Sequence, residues 1–399
     1  MRDAGTEHRR IGEIVRAARL ASGKSLEAVA GLAGRSKGWL SKVENGKTRL
    51  ERRSDILALA EALEVSATDL LGGPSPVTSS RHAGVEPTRL RDVFLGTSLD
   101  DPPDVPARPM AVLEAEWAGP VLTAWRGSDR AALARLLPGI IGELHVHAAG
   151  ATNEQQAVAL RMLISACGVA ASDVLKALGY IDLAWVAADR AERAAHALGD
   201  EVWRGAAAFA MAHCRRSLDL SRAFRTIGRT ADRVEPHIGD DRRAQEVYGM
   251  LRLSAALACQ VRGDHAGADA NAQEAERIAV RTGEHADAWQ WFGPSNVGVW
   301  RTTLAVEAGE PGRALEYASQ VVPEALPSRI RRASLKIEKA RAYAMIDQPR
   351  EAANHLRAAE KQDGPRTRSD PMARELVADL RARLGGRELN GLAWRMNLV

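Results

Sequence analysis

A short phrase recurs along the chain and limits what it can fold into: Ala191-Glu192-Arg193, Ala231-Asp232-Arg233, Ala275-Glu276-Arg277 and Ala359-Glu360-Lys361. The spacings are 40, 44 and 84 residues, and Ala318-Ser319-Gln320 falls near the middle of the last gap. Three copies run on to a turn, at Gly199-Asp200, Gly239-Asp240 and Gly283-Glu284. Around them apolar residues return at three- and four-residue steps, the period of an amphipathic helix. Alternating strand patterns bounded by hairpin turns are missing. A unit of this size cannot bury its apolar face alone, so neighbouring units must stack. The expected fold class is therefore all-α, with a C-terminal solenoid of helix pairs. Each repeated alanine falls late in the second helix of a pair, where a small side chain lets helices approach closely.

At 399 residues the chain exceeds one typical domain. No apolar run approaches the ~20 residues of a membrane span, and Met1 to Arg10 lack the apolar core of a secretory signal. The three cysteines, Cys167, Cys214 and Cys259, show no metal-ligand spacing and read as inert thiols of a reducing cytoplasm. The expected location is cytoplasmic, with no membrane partner. Residues 73–110 carry Pro74, Pro76, Pro87, Pro102, Pro103, Pro106 and Pro109 and read as a semi-stiff linker, with local order around Leu90 to Leu95. This divides the chain into 1–72, the linker 73–110, and a helical-repeat region 111–399. The net charge is only +4. Yet Arg35, Lys37, Lys42, Lys47, Arg49, Arg52 and Arg53 face only Glu44 and Glu51 within one short segment, the pattern of a patch that meets a polyanion.

That patch lies inside a compact helical pattern. Ile11, Val15 and Ala18 stripe a first helix ending at Ser22-Gly23. Ser25 caps a second that carries Val29 and Ala30 inward. Gly34 suits a turn of positive φ, and Ser36 caps a third helix through Trp39, Leu40 and Val43. Ile56, Leu57, Leu59, Ala60 and Leu63 mark a fourth, and Ser66 to Leu71 closes the bundle. Ala30 and Gly34 supply the small residues expected where two crossing helices touch. With Ser41-Lys42-Val43-Glu44-Asn45-Gly46-Lys47, residues 9–72 resemble the five-helix DNA-binding domain of the Xre, or Cro-like phage-repressor, family. The resemblance implies that the third helix enters the major groove. Base contacts then fall on Ser36, Lys37, Gly38, Ser41 and Lys42, and phosphate contacts on Arg35, Asn45, Lys47 and Arg49. It further implies an Arg19–Glu44 salt bridge inside the domain, and homodimers on inverted half-sites of double-stranded DNA.

Leu178-Gly179-Tyr180 followed by an Ala-rich helix resembles the tetratricopeptide signature. The units exceed the usual ~34 residues, which leaves an armadillo-like or irregular solenoid open. Aromatic residues are 4% of the chain, but Trp289, Trp291, Phe292 and Trp300 crowd into one stretch with Gly293-Pro294 and Asn296. Two readings stand: tryptophans filling the core between helices, or a pocket with aromatic walls and a few polar groups. A phage-repressor-type domain joined to such repeats resembles the peptide-sensing quorum regulators of Gram-positive bacteria, in which an asparagine holds the peptide backbone. On that resemblance Trp289, Phe292, Asn296 and Trp300 are the candidate contacts for a small-molecule or peptide effector.

Phosphate-binding and nucleophile-elbow motifs are missing, and His145 and His147 lie two apart, on different helix faces. The chain reads as a non-enzyme without cofactor or metal. The function expected is a transcriptional regulator, dimeric on an inverted repeat and modulated through its repeats. Its rivals are an adaptor whose repeats hold a partner protein and an effector-free constitutive repressor.

Overall fold

In a computed structural model, described over residues 6–65, 67–70, 87–150, 153–178, 180–215 and 220–398, helix follows helix and no strand occurs among the described residues. The N-terminal bundle comprises α1 (Thr6–Ala21), α2 (Leu26–Leu32), α3 (Lys37–Glu44), α4 (Arg53–Leu63) and α5 (Ala67–Leu70). The serine caps are made: Ser25 Oγ accepts the Ala28 N–H at 3.1 Å and Ser36 Oγ the Trp39 N–H at 3.2 Å. Each satisfies a donor that the first turn of a helix otherwise leaves bare. Gly34, at φ 65°, turns the chain between α2 and α3, where a side chain is disfavoured. Val15, Val29, Leu40, Val43, Ile56 and Leu59 fill the core.

The tightest crossing is elsewhere than expected. A Cβ on Gly12 would stand 2.4 Å from the Val43 carbonyl oxygen and 2.8 Å from that of Glu44, whereas one on Gly34 would meet nothing within 4 Å. It is Gly12 that lets α1 lie on the end of α3. The apolar stripe did not reveal this because a glycine contributes nothing to it.

Beyond the bundle, α6 (Thr88–Gly96) packs Leu90 and Phe94 against the body. A run over 110–126, here α7, contains a π-turn at Trp117–Val121 around Pro120. Then come α8 (Arg130–Gly150), α9 over 153–177, and α10 (Ile181–Leu198). Four pairs follow: α11 (Glu201–Arg215) with α12 (Leu220–Val234), α13 (Arg242–Val261) with α14 (His265–Thr282), α15 (Pro294–Ala308) with α16 (Pro311–Gln320), and α17 (Arg329–Met345) with α18 (Pro349–Gln362). The chain closes with α19 (Gly364–Ser369), α20 (Pro371–Leu384) and α21 (Arg387–Arg395). In each pair the two helices pack on one another, and α13, α15 and α17 pack successively along the chain.

Every repeated alanine is buried: Ala191, Ala231, Ala275, Ala318 and Ala359. They sit on α10, α12, α14, α16 and α18, and the last four are each the later helix of a pair. A Cβ on Gly168 of α9 would lie 2.8 Å from the Ala191 Cβ, so even alanine against alanine is too bulky there. Of the tetratricopeptide-like phrase, Gly179 lies outside the described residues.

One sequence expectation changes. The stretch expected as a linker over 73–110 is packed on the body from residue 87 onward. Leu90 and Phe94 enter the core, and Arg108 grips Glu143 through Nε at 2.9 and 3.0 Å. Proline density marked restricted backbone, but the apolar pair in α6 decided where that backbone lies. Glu154–Ala177 is long and apolar enough to cross a membrane by length and composition alone, but it is mostly buried inside the protein, as befits a central core helix. The cysteines conform to the inert reading. Cys167 and Cys214 are buried, Cys259 half-buried, and burial raises all three thiols, Cys167 to about 12. His145 is buried with Nδ1 on the Ile141 carbonyl oxygen, and His147 Nε2 meets that of Arg108.

Candidate nucleic-acid interface

Among the described residues nothing covers the outward face of α3. Ser36, Lys37, Gly38 and Lys42 are exposed, Ser41 is half-buried, and Leu40 and Val43 point into the core. Ser36 Oγ accepts the capping bond from Trp39, which leaves its hydroxyl proton for an acceptor. Lys37 Nζ lies 3.7 Å from Glu27, both well exposed. Such a pair contributes at most about 1 kcal/mol and does not hold the lysine from an anion. Lys42 has no ion-pair partner among the described residues. Space around Gly38 is empty, so duplex can approach the backbone closely there. At the exit of α3, Asn45 is exposed and donates Nδ2 to the Ser41 carbonyl oxygen at 2.7 Å. Its side chain therefore finishes the helix. Lys47 is exposed beyond it.

Behind that face the helix is fixed by charge as well as packing. Arg19 meets the buried Glu44 through two bonds, Nε to Oε1 at 2.6 Å and Nη2 to Oε2 at 3.0 Å. The planar fork matched to a carboxylate fixes direction as well as distance. Glu44 ends α3, so the bridge pins that end to α1.

The basic segment divides into two populations. Arg35 is taken up by Asp55 at 2.5 and 3.0 Å and lies 5.3 Å from the Trp39 ring centre. Arg49 pairs with Glu51 at 2.7 Å and with Asp379 of α20 at 2.9 Å. Arg53 reaches deepest: it meets Glu307 of α15 at 2.6 Å and Glu338 of α17 at 3.3 Å. Arg341 meets the same two carboxylates at 2.8 and 2.6 Å and also donates to the Glu51 carbonyl oxygen. Two cations and two anions thus alternate in a ring at the seam between bundle and body. Burial opposes every charge in the ring. Even so, the facing carboxylates hold Arg53 above its ordinary value, and Arg341 with Arg53 holds Glu307 below the usual carboxylate range.

The phosphate roles expected for Arg35 and Arg49 therefore meet a competing assignment, since their guanidiniums already face carboxylates. Apolar contact joins the same seam. Met372 of α20 is part of the bundle's core. Sequence reasoning placed Arg53 in the basic patch and missed Glu307, Glu338 and Arg341, because residues nearly 300 positions apart give no local signal.

The aromatic stretch is largely core. Phe292 is buried with its ring on Gly249, where a Cβ would fall 2.1 Å from the Phe292 Cζ. Trp289 is buried edge-on to Phe209, and its backbone N–H donates to Glu246 at 2.9 Å. Asn296 is fully buried and donates Nδ2 to the Gln290 carbonyl oxygen at 3.1 Å. The ligand roles expected for Trp289, Phe292 and Asn296 therefore meet a competing assignment: the first two fill space between helices. Asn296 braces a turn in which Gln290 and Trp291 have φ of 52° and 60°. Trp300 lines a cavity. Its companions there include Trp125 and Trp291.

A helix-turn-helix domain model matches residues 10–71, the bundle whose α2, turn and α3 have just been described. Residues 10–71 form a helix-turn-helix domain. Such a domain marks a DNA-binding regulator. Comparison with curated proteins returned no match.

Proposed function

We propose that this helix-turn-helix protein is a sequence-specific transcriptional regulator of Xre type, acting in the cytoplasm. α3 enters the major groove. Lys37 and Lys42 donate to guanine edges, Ser36 and Ser41 to nearby acceptors, and Gly38 allows close backbone approach. Lys47 holds phosphate, and Asn45 supports the turn that presents it. The observation that carries this reading is the pairing of an open outer face with an inner face held by Leu40, Val43 and the Arg19–Glu44 fork. A helix so fixed meets a duplex without first being ordered.

The region from residue 87 onward is proposed as a tetratricopeptide-like solenoid that pairs two copies on an inverted repeat and carries an effector. Stacked helix pairs and buried repeat alanines support the solenoid. A cavity beside Trp291 and Trp300 supports the effector. The burial of Trp289, Phe292 and Asn296 favours the rival of a constitutive repressor, and that cavity weighs against it.

Selection of genomic fragments by the full chain tests the reading. The expected outcome is enrichment of a two-fold symmetric motif and competition by specific over random duplex of about a thousandfold or more. Retention of all fragments alike, or of none, would contradict it.

A further inference from the structure

The cavity that Trp300 lines has a volume of about 160 Å³, close to the ~150 Å³ space that holds one benzene ring in another protein. Trp125, Trp291, Trp300 and Phe209 wall it, and the Trp125 and Trp291 rings stand 4.9 Å apart at 51°. One side is cationic: Lys176, Arg331 and Arg366 line it against a single carboxylate, Asp173. Asp173 is engaged by Lys176 at 2.9 Å, and Arg366 by Asp370 at 2.7 Å. Arg331 lies 5.5 Å from the Trp300 ring centre and has no carboxylate within salt-bridge distance among the described residues. Burial, partly offset by Asp173 and reinforced by Arg366, pulls it down to about 10. The buried Trp300 indole N–H also lacks an acceptor.

A half-buried guanidinium with no carboxylate within salt-bridge distance among the described residues, and only Asp173 to offset it from further off, would gain from an incoming anionic acceptor. The strained turn at Gln290 and Trp291 forms part of the same wall, and strain of this kind collects where ligands are clamped.

We propose that this cavity binds a small aromatic carboxylate, its ring against the wall formed by Trp125, Trp291 and Trp300 and its anion on Arg331. Ring burial uses the offset and edge contacts that indoles favour, and the guanidinium fork donates to two carboxylate oxygens. The assignment of an anion follows from three cations facing one acid. A neutral or cationic ring leaves Arg331 as it is.

The site is wired to the DNA-binding domain. Arg366 borders the cavity and pairs with Asp370, whose carboxylate caps α20 by accepting the Met372 and Ala373 N–H groups at 3.0 Å. Met372 enters the bundle core. A bound carboxylate beside Arg366 competes with Asp370 for it and so acts on the seat of the bundle. This last step rests on the regulatory reading above; binding itself does not.

The test is calorimetric titration of the full chain with benzoate and phenylacetate, and with benzamide and benzylamine as neutral and cationic matches. Saturable binding of at least one carboxylate near or below about 1 mM is expected, with the amide and the amine weaker by about tenfold or more. R331Q should lose about 10- to 100-fold, and R331K, which keeps the charge without the fork, should fall between. Thermal melts check that both variants fold. Equal binding of benzoate and benzamide, unchanged affinity in a folded R331Q, or no saturation by either carboxylate would overturn the proposal. In the DNA arm, benzoate binding that leaves affinity for the selected duplex unchanged overturns the coupling through Asp370. Benzoate binding by a protein that ignores all duplexes counts against the regulatory reading and leaves the cavity assignment standing.

Discussion

The lysines of α3 and the arginines on either side of it carry the same charge and meet opposite fates. Lys37, Lys42 and Lys47 stand in solvent, while Arg35, Arg49 and Arg53 are each held by carboxylates. The chemistry of the two side chains explains the division. An ammonium is a strongly hydrated point charge on a flexible stem, well suited to an exposed face that waits for an anion. A guanidinium is weakly hydrated and bonds through a planar fork, so it tolerates burial opposite an acid. Charge density along a sequence therefore overstates the patch offered to DNA, and the division between the two residue types corrects it.

The comparison breaks first, if it breaks, at the buried ring. Removing one partner there leaves Arg53 and Arg341 sharing a single carboxylate, and breaking a buried pair costs about 3–5 kcal/mol. E307Q should lose that much in denaturant unfolding; a loss below about 1 kcal/mol would mean that the ring is not an integral part of the seam. Acid makes the same point by titration. Glu307 and Asp370, despite burial, are held low by Arg341, Arg366 and Arg53. A depressed folded value gives stability that is complete above the unfolded value of about 4 and drains as pH falls through the folded one. Melting temperature should hold from pH 8 to about 5 and fall below about 4, and E307Q should start lower and fall less steeply.

The exposed lysines should respond quite differently. K42A should weaken binding to the selected duplex by about 1–3 kcal/mol while sparing random DNA. K47A should weaken both alike and lower the salt slope by about 0.9. Filter binding across a salt series separates them, and the same pattern from both variants would erase the distinction between base and backbone contact. Smallest of all is the Lys37–Glu27 pair. E27A should change stability by less than about 0.5 kcal/mol, as calorimetric melting would record.

How much of this was legible in the sequence depended on distance along the chain. The serine caps at Ser25 and Ser36, the turn at Gly34 and the Arg19–Glu44 bridge were readable, the first three from spacing and the last from family resemblance. The repeat alanines were readable for a related reason, since each unit restates the same local packing. Gly12 was silent because its role is to have no side chain. The ring of Arg53, Glu307, Glu338 and Arg341 was silent because nothing local marks charges that meet only after folding. The aromatic stretch was ambiguous for a physical reason: tryptophan fills helix interfaces and lines cavities equally well, and only the packing of Phe292 on Gly249 and the gap beside Trp300 distinguish the two uses.

Met372 lends one body's side chain to the other's interior, and this has mechanical consequences. A domain seated in that way does not swing on a tether. In the proposed dimer the two α3 helices would behave like the jaws of a caliper, set to one opening. Operators lengthened by half a helical turn would then find no grip, and anything that loosens α20 would reset the gauge.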